Sequence, residues 1–114
     1  MLYAAATLAG AMVEILVHYA AVPKGMCQST IEIPDDVSVS EVSSGVLPAD
    51  WARDLESTRT VGSTWFKGQI SAVLIVPSCV AHGEKNYLLN TQHPDFERVR
   101  FSSPSSFVFD PRLK

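Results

Sequence analysis

The stretch Ser71-Ala72-Val73-Leu74-Ile75-Val76-Pro77-Ser78 contains the clearest strand of the sequence and sets the fold class. Its uninterrupted apolar residues predict a buried strand with both faces covered. Pro77 ends the strand because proline has no N–H to donate to a neighbour. Ser78 then follows a strand end, a position that often lines a crevice in an open sheet. The alternative is a turn serine whose hydroxyl caps backbone groups.

The N-terminal region predicts a second strand followed by a helix. Leu2 to Ala6 is a short apolar run, and Thr7 is a suitable helix N-cap because its hydroxyl can accept from an early backbone N–H. The helix is expected from Leu8 to Ala21, with Pro23 and Gly25 ending it. Apolar residues occur on nearly every side, which predicts a helix that is buried all round.

Glu14 is the most unusual residue of this predicted helix. It lies among apolar neighbours, and a buried ionised carboxylate is costly unless another group pairs with it. His18 is four residues further on and would share its helix face. One interpretation is a Glu14–His18 pair facing water at the helix edge. The other is a pocket wall, with the carboxylate directed at a polar ligand.

The rest of the sequence completes a single α+β domain over residues 1–114. Trp51 and Trp65 are expected as core or interface anchors rather than as residues that stack on a cofactor. Residues 34–47 are expected to form a loop with an edge strand inside it, and His82 to Pro94 a second, self-satisfied loop that includes Asn86 and His93. The other predicted elements are a strand at Ser29–Ile33, an edge strand at Val37–Val42, helices at Leu47–Leu55 and Ser57–Phe66, and a hairpin of Arg98–Phe101 with Ser106–Phe109.

Composition excludes several classes of protein. The 114 residues are 46% hydrophobic and 18% charged, which is ordinary for a globular protein. The net charge of −3, without a basic stripe, gives no basis for direct nucleic-acid binding. Cys27 and Cys79 are too few for a disulfide scaffold and lack the partners of a zinc site. No targeting segment is expected, because no lysine or arginine precedes Lys24. No membrane span is expected either, because Glu14 and His18 interrupt the apolar N-terminus. We therefore expect a cytoplasmic protein without a metal.

Several segments occur in a specific order along the chain. They are Leu2-Tyr3-Ala4-Ala5, Ala11-Met12-Val13-Glu14-Ile15-Leu16-Val17-His18, Val61-Gly62-Ser63-Thr64-Trp65, Val76-Pro77-Ser78, Asn86-Tyr87-Leu88-Leu89-Asn90, His93-Pro94-Asp95-Phe96 and Phe107-Val108-Phe109-Asp110-Pro111-Arg112-Leu113. Together they resemble the RES family of NAD-degrading bacterial toxins, which is named for arginine, glutamate and serine. Any one segment is a weak signal, but the ordered set is specific and runs from residue 2 to 114.

The resemblance implies a split mixed sheet with flanking helices, similar to the ADP-ribosyltransferase fold. It also implies cleavage of the nicotinamide–ribose bond of NAD, by phosphorolysis or by ADP-ribosyl transfer. Glu14 would be the family glutamate and Ser78 the family serine, both catalytic. Tyr3, His18 and Asn86 would bind NAD, which is the substrate. The implied partner is an Xre-type helix-turn-helix antitoxin of a type II toxin–antitoxin system, with homo-oligomers in the complex.

The family arginine has no match in this sequence. In the family it lies on a strand before the segment that resembles Leu2-Tyr3-Ala4-Ala5, and here only Met1 precedes that segment. Arginine is suited to hold a pyrophosphate through two parallel hydrogen bonds. One interpretation is a RES domain shortened at its N-terminus, with weak or no activity, and another is that a second chain or a partner supplies the missing strand. The alternative is a non-catalytic module that binds the antitoxin, and a further interpretation is a hydrolase that uses Ser78.

Overall fold

The computed structural model describes residues 1–43, 47, 51, 53 and 55–114. Most of the helix predicted at Leu47–Leu55 lies outside these residues. The described strands are β1 (Leu2–Ala5), β2 (Met26–Gln28), β3 (Ile31–Glu32), β4 (Val39–Glu41), β5 (Val73–Pro77), β6 (Lys85–Leu89), β7 (Arg100–Phe101) and β8 (Ser105–Phe107). The helices are α1 (Leu8–Leu16), α2 (Leu55–Lys67) and two short 3-10 helices at Pro94–Arg98 and Pro111–Leu113.

A mixed sheet of four strands organises the molecule, in the order β1-β6-β5-β4. β6 pairs antiparallel with both β1 and β5, whereas β4 pairs parallel with β5. The α+β class is therefore confirmed. The strand predicted around Val73–Val76 lies inside this sheet, and the predicted edge strand is β4 at one border.

The prediction of a loop from His82 to Pro94 is wrong, because its middle forms β6 at the centre of the sheet. Gly83, Asn86 and Asn90 indicated turns locally. Tyr87 and its two following leucines instead lie opposite Ile75, Leu74 and Val73 of β5. Burial between two neighbouring strands overrides the local preference of asparagine for turns.

The predicted hairpin of Arg98–Phe101 with Ser106–Phe109 is also wrong. β7 pairs with β3, and β8 pairs with β2, so each strand finds a distant partner. The Ser29 hydroxyl donates to the Ser102 carbonyl at 2.7 Å, and the Thr30 N–H donates to the Ser102 hydroxyl at 2.8 Å. These contacts join the turn between β2 and β3 to the segment between β7 and β8, which keeps β7 and β8 apart.

Helix α1 begins as predicted, since Thr7 is its N-cap and accepts from the Gly10 N–H. It ends five residues before the predicted end at Ala21, and the His18 and Tyr19 N–H groups bond to carbonyls three residues back. It is half-buried rather than buried all round, because Gly10 alone among its residues is buried. Among the described residues, no helix is both long and apolar enough to cross a membrane.

The two faces of the four-stranded sheet differ, because alternate side chains of a strand point to opposite faces. Val73 and Leu89 lie on one face and belong to the main apolar core with Val37, Ala72 and Val99. Helix α2 approaches the other face at Leu88, since a Cβ added to Gly62 would lie 3.9 Å from Leu88 Cδ1. Trp65 of α2 is buried, as predicted, and its indole N–H donates to the Ser71 hydroxyl at 2.8 Å.

Asp95 joins the 3-10 helix Pro94–Arg98 to Ser38, the residue before β4. The Ser38 N–H donates to its carboxylate at 2.9 Å. Hydrogen bonds from the Ser38 side chain and backbone, with a smaller contribution from Arg98, lower the Asp95 pKa from 3.8 to about 2. This side chain therefore stabilises the fold above the unfolded-state pKa, and that stabilisation is lost as the pH falls through about 2.

We expect Asp95→Asn to lower the stability of the protein at neutral pH and to flatten its pH dependence between 3.8 and about 2. The asparagine cannot carry the charge that these hydrogen bonds favour. Urea unfolding across this pH range measures the effect, with exposed Asp35→Asn as the control. Equal pH profiles for Asp95→Asn and the unmodified protein would contradict the assignment.

Candidate functional site

Four of the five predicted site residues come together at one end of the main sheet. Tyr3 comes from β1, Glu14 from α1, Ser78 from the residue after β5 and Asn86 from β6. In the ladder, Tyr3 lies opposite Leu88 and Ala5 opposite Asn86. Tyr3 and Asn86 are therefore diagonal neighbours on one face of the sheet. We call these four side chains the carboxylate cluster.

Ser78 makes every hydrogen bond that a hydroxyl can make. Its Oγ donates to Glu14 Oε1 at 2.8 Å and accepts from the N–H groups of Val80 at 3.2 Å and Ala81 at 3.0 Å. The turn-capping interpretation of this serine is therefore confirmed, whereas its place at the edge of a crevice stays a prediction. Two backbone donors fix the direction of the Ser78 hydroxyl towards the carboxylate.

Asn86 connects the remaining two members of the cluster. Its Nδ2 donates to the Tyr3 hydroxyl oxygen at 2.8 Å and to Glu14 Oε1 at 2.9 Å. The residue is 1% exposed, and it occupies the central strand β6. A buried amide with both N–H groups bonded has a fixed orientation. Asn86 therefore holds the carboxylate and the phenol at a set separation.

The Glu14 carboxylate is held through one of its two oxygens. Oε1 accepts from Ser78 and Asn86, whereas Oε2 accepts no hydrogen bond from any described residue. His18 lies beyond the end of α1, is exposed, and forms no ion pair with Glu14 within the described part of the chain. The interpretation of a water-facing Glu14–His18 pair is therefore wrong. The role of His18 in NAD binding stays a prediction.

Burial and the carboxylate act on two further groups near the cluster. Burial raises the pKa of the Tyr3 hydroxyl, and the Glu14 charge raises it further, while the hydrogen bond from Asn86 acts in the opposite direction. Tyr3 is 56% exposed as a residue, and its hydroxyl accepts from the buried Asn86. The pKa of the Cys79 thiol, next to Ser78, is also raised. Partial desolvation of the sulfur is the larger cause and the negative charge of Glu14 the smaller one. Both groups thus sense a negative charge at Glu14.

We expect Glu14→Gln to lower the pKa of Tyr3 towards, but not to, its ordinary value of 10.0. The variant removes the repulsion between carboxylate and phenolate, while the burial remains. Phenolate absorbance followed against pH, with Tyr3→Phe subtracted, isolates this tyrosine. Glu97→Gln is the matched control, because Glu97 is exposed and outside the cluster. If the Tyr3 pKa in Glu14→Gln equalled that of the unmodified protein, the Glu14 carboxylate would not lie close enough to act on Tyr3.

A cavity formed by described residues meets the carboxylate cluster at Tyr3, which is one of its lining residues. It has a volume of about 710 Å³ and is lined mainly by apolar side chains, including Met12 and Ile15 of α1. Neither Glu14, Ser78 nor Asn86 lines it. Helix α1 therefore presents one side to this cavity and Glu14 to the cluster. Among the residues that the structure describes, no group of three or more acidic, histidine or cysteine residues is placed to hold a metal ion.

Comparison with known proteins gives the cluster its family context. The family model of the RES domain matches residues 1–110. The chain belongs to the RES domain family. The resemblance stated from the sequence is thereby confirmed, and the match spans the elements that carry all four residues of the cluster.

Curated relatives of this RES domain are named as toxins. The Prs ADP-ribosylating toxin of Sphingobium sp. (strain YBL2) is 34% identical over an alignment of 119 positions, which covers 99% of this chain and 74% of that protein. A protein of Pseudomonas putida named Toxin Res is 33% identical over an alignment of 117 positions, which covers 99% of this chain and 79% of that protein. A Toxin Res of Yersinia enterocolitica is 34% identical over an alignment of 123 positions, which covers 99% of this chain and 77% of that protein.

The sequence did not indicate two features around the cluster. Glu84 was not singled out, although its side chain accepts a hydrogen bond from Thr7, the cap of the helix that carries Glu14. Its contact spans 77 residues, so no local pattern could have predicted it. His93 caps the 3-10 helix Pro94–Arg98, where its Nδ1 accepts from the Asp95 N–H. His93 therefore has a structural role as a helix cap, and it forms no hydrogen bond with the carboxylate cluster among the described residues.

Proposed function

We propose that this RES domain is a toxin that cleaves the nicotinamide–ribose bond of NAD and transfers the ADP-ribosyl group to phosphate or to a protein. The observation that carries the proposal is the Glu14 carboxylate, held on one oxygen by Ser78 and Asn86 and open on the other. The name of the Sphingobium relative, an ADP-ribosylating toxin, supports the reaction class.

The chemistry of this bond suits a carboxylate fixed in that manner. When the bond breaks, its electron pair leaves with nicotinamide, and positive charge develops on the ribose ring. A carboxylate already oriented at that charge stabilises the transition state without reorganisation. Because Ser78 and Asn86 occupy Oε1, the Oε2 lone pairs remain for the ribose or its hydroxyl groups. Half-burial of Glu14 strengthens this interaction by reducing the screening from water.

Tyr3 has the position and chemistry of a residue that contacts the dinucleotide. Its ring is largely exposed, while Asn86 holds its hydroxyl. An exposed aromatic ring with one fixed end can lie against a planar ring of a ligand at a small cost in conformational entropy. We therefore assign Tyr3 to contact with NAD and Glu14 and Ser78 to the reacting end. Asn86, which is 1% exposed, contributes to NAD binding through the Tyr3 hydroxyl that it holds.

A hydrolase based on Ser78 is not supported by this geometry. The Ser78 hydroxyl donates directly to Glu14, and no histidine of the described ranges contacts it. A serine nucleophile requires a base such as histidine to accept its proton during attack. Ser78 acts instead as a neutral donor that orients the carboxylate.

A second candidate function, antitoxin binding without catalysis, is favoured by one observation. Within the described part of the chain, no arginine hydrogen-bonds to the carboxylate cluster or forms an ion pair with it; Arg98 and Arg112, for example, pair with aspartates. A dinucleotide pyrophosphate carries two negative charges that arginine neutralises well. We infer weak NAD affinity for this chain alone, and an Xre-type antitoxin as partner in the cytoplasm.

Measurement of NAD loss by the purified chain tests both candidates. Chromatography of NAD, nicotinamide and ADP-ribose products, in buffers with and without phosphate, separates phosphorolysis from the other outcomes. Labelled NAD detects transfer to a protein. Phosphate-dependent loss identifies a phosphorylase, and labelled protein identifies a transferase. No product from a folded sample in any arm would contradict the catalytic proposal and leave antitoxin binding.

A further inference from the structure

Glu84 lies outside the carboxylate cluster but contacts the segments that carry three of its members. Its backbone carbonyl accepts from the Ser78 N–H at 2.9 Å, and its own N–H donates to the Ala81 carbonyl at 3.1 Å. Its carboxylate Oε1 accepts from the Thr7 hydroxyl at 2.5 Å. Asn86 follows two residues later, on β6. One residue therefore joins the Ser78 turn, the Asn86 strand and the helix of Glu14.

The bond to Thr7 acts on the whole of helix α1. The Thr7 hydroxyl donates its single hydrogen to Glu84 and accepts from the Gly10 N–H at 3.0 Å. The N-cap is thus fixed in direction by groups on both sides. Glu14 lies seven residues after Thr7, about 10 Å along the helix axis. Because a helix moves as a rigid rod over this length, a shift at Thr7 displaces Glu14 as well.

Gly10 shows how closely the helix and Glu84 approach each other. It is the buried residue of α1, and a Cβ added there would lie 3.1 Å from Thr7 Oγ1 and 3.3 Å from Glu84 Oε1. Both distances are tighter than an ordinary van der Waals contact. The negative charge of Glu84 also interacts favourably with the positive end of the helix dipole, which lies at the N-terminus of α1. Close approach and charge thus fix the N-terminus of α1 against the turn that holds Ser78.

We propose that Glu84 is a positioning residue, which sets the Glu14 carboxylate against Ser78 and Asn86 by holding the Thr7 cap of α1. Glu84 acts through Thr7 and through its own backbone, and it touches no reacting atom. The kinetic part of this inference rests on the proposed function, because it needs an NAD-cleaving activity. The placement of Glu14 by Glu84 is a structural claim and does not depend on that activity.

The test compares Glu84→Ala, which removes the acceptor for the Thr7 hydroxyl, with Glu84→Gln, which keeps an acceptor oxygen at the same reach. We expect Glu84→Ala to lower kcat by about tenfold to a hundredfold with little change in KM, because misplacement of the carboxylate affects the bond-breaking step. We expect Glu84→Gln to restore most of kcat. Glu97→Ala serves as the control for loss of an exposed carboxylate.

Two further readouts do not depend on activity. In a crystal structure of Glu84→Ala we expect the Glu14 Oε1 to Ser78 Oγ distance to exceed the 2.8 Å of the unmodified chain. In solution we expect the Tyr3 pKa to fall, since Glu14 contributes to its elevation. If Glu84→Ala does not fold, Glu84→Asp shortens the side chain by one methylene and serves instead.

The outcomes separate the two proposals. An inactive unmodified chain contradicts the proposed function, and the distance and the Tyr3 titration still decide the position of Glu14. A Glu84→Ala variant with unchanged kcat, an unchanged 2.8 Å contact and an unchanged Tyr3 pKa overturns the role of Glu84. A loss of kcat that Glu84→Gln fails to restore, with Glu14 still in place, also overturns it.

Discussion

Under the proposed function, replacement of Glu14 by glutamine is expected to reduce NAD cleavage by about a hundredfold to a thousandfold in kcat, the range seen when one preorganised electrostatic group is lost. Glutamine keeps the size of the side chain and an oxygen that can accept from Ser78 and Asn86. It removes the negative charge that would face the ribose cation. The expected loss is therefore in the rate of bond cleavage rather than in folding.

Steady-state rates of nicotinamide release, measured with the unmodified chain and with Glu97→Gln as the matched control, check this prediction. Glu97 is exposed on a 3-10 helix, so its loss should leave the rate within twofold or so of the original. Thermal unfolding of both variants shows whether each is folded. If Glu14→Gln retained the rate of the control, the carboxylate would have no part in the reaction.

Replacement of Leu89 by alanine is expected to lower the free energy of unfolding by about 2–5 kcal/mol, the usual cost of removing a buried leucine side chain. Leu89 is 0% exposed and lies in β6 between Leu2 of β1 and Val73 of β5. It contributes to the core that holds the three strands together. The cavity left behind would be surrounded by strands that cannot move inward without losing their ladder.

Urea unfolding at neutral pH measures this change, with Leu113→Ala as the control at a leucine that is 46% exposed. We expect the control to remain within about 0.5 kcal/mol of the original stability. A loss of under about 1 kcal/mol in Leu89→Ala would mean that the core tolerates collapse at this position. The activity of a folded Leu89→Ala sample should persist, because Leu89 points away from the face that carries Asn86.

Local patterns predicted those elements whose signals are local. The apolar run ending at Pro77 predicted β5, and the hydroxyl of Thr7 predicted the start of α1. The end of α1 carried no comparable signal, because the apolar residues continue beyond Leu16 without glycine or proline until Pro23. Tertiary contacts, rather than propensity, decide where such a helix stops.

The elements predicted wrongly depend on partners far away in the chain. β6 was predicted as a loop because Asn86 and Asn90 favour turns, and its burial between β1 and β5 could not be seen locally. The final two strands were paired with each other because they are close in sequence, whereas Ser29 and Thr30 hold Ser102. Long-range pairing of this kind leaves no trace in a single sequence window.

The candidate site was predicted in two ways. Glu14 and Ser78 were identified from their positions, as a carboxylate inside an apolar helix and a serine after a buried strand. Tyr3 and Asn86 followed from resemblance to the family, and the register between β1 and β6 explains why they meet. Glu84 was missed, because an acidic residue before a strand resembles any other residue of a solvated turn.

The hydrogen bonds of the carboxylate cluster join residues that are 64, 72 and 83 positions apart. Protein synthesis releases the N-terminal part of a chain first, and domains fold as units once enough sequence is present. A growing chain therefore displays Glu14 and Tyr3 long before it contains Ser78 or Asn86. A translation product that ends before Asn86 cannot assemble the cluster, so a nascent chain lacks it until the segment around Asn86 has emerged from the ribosome.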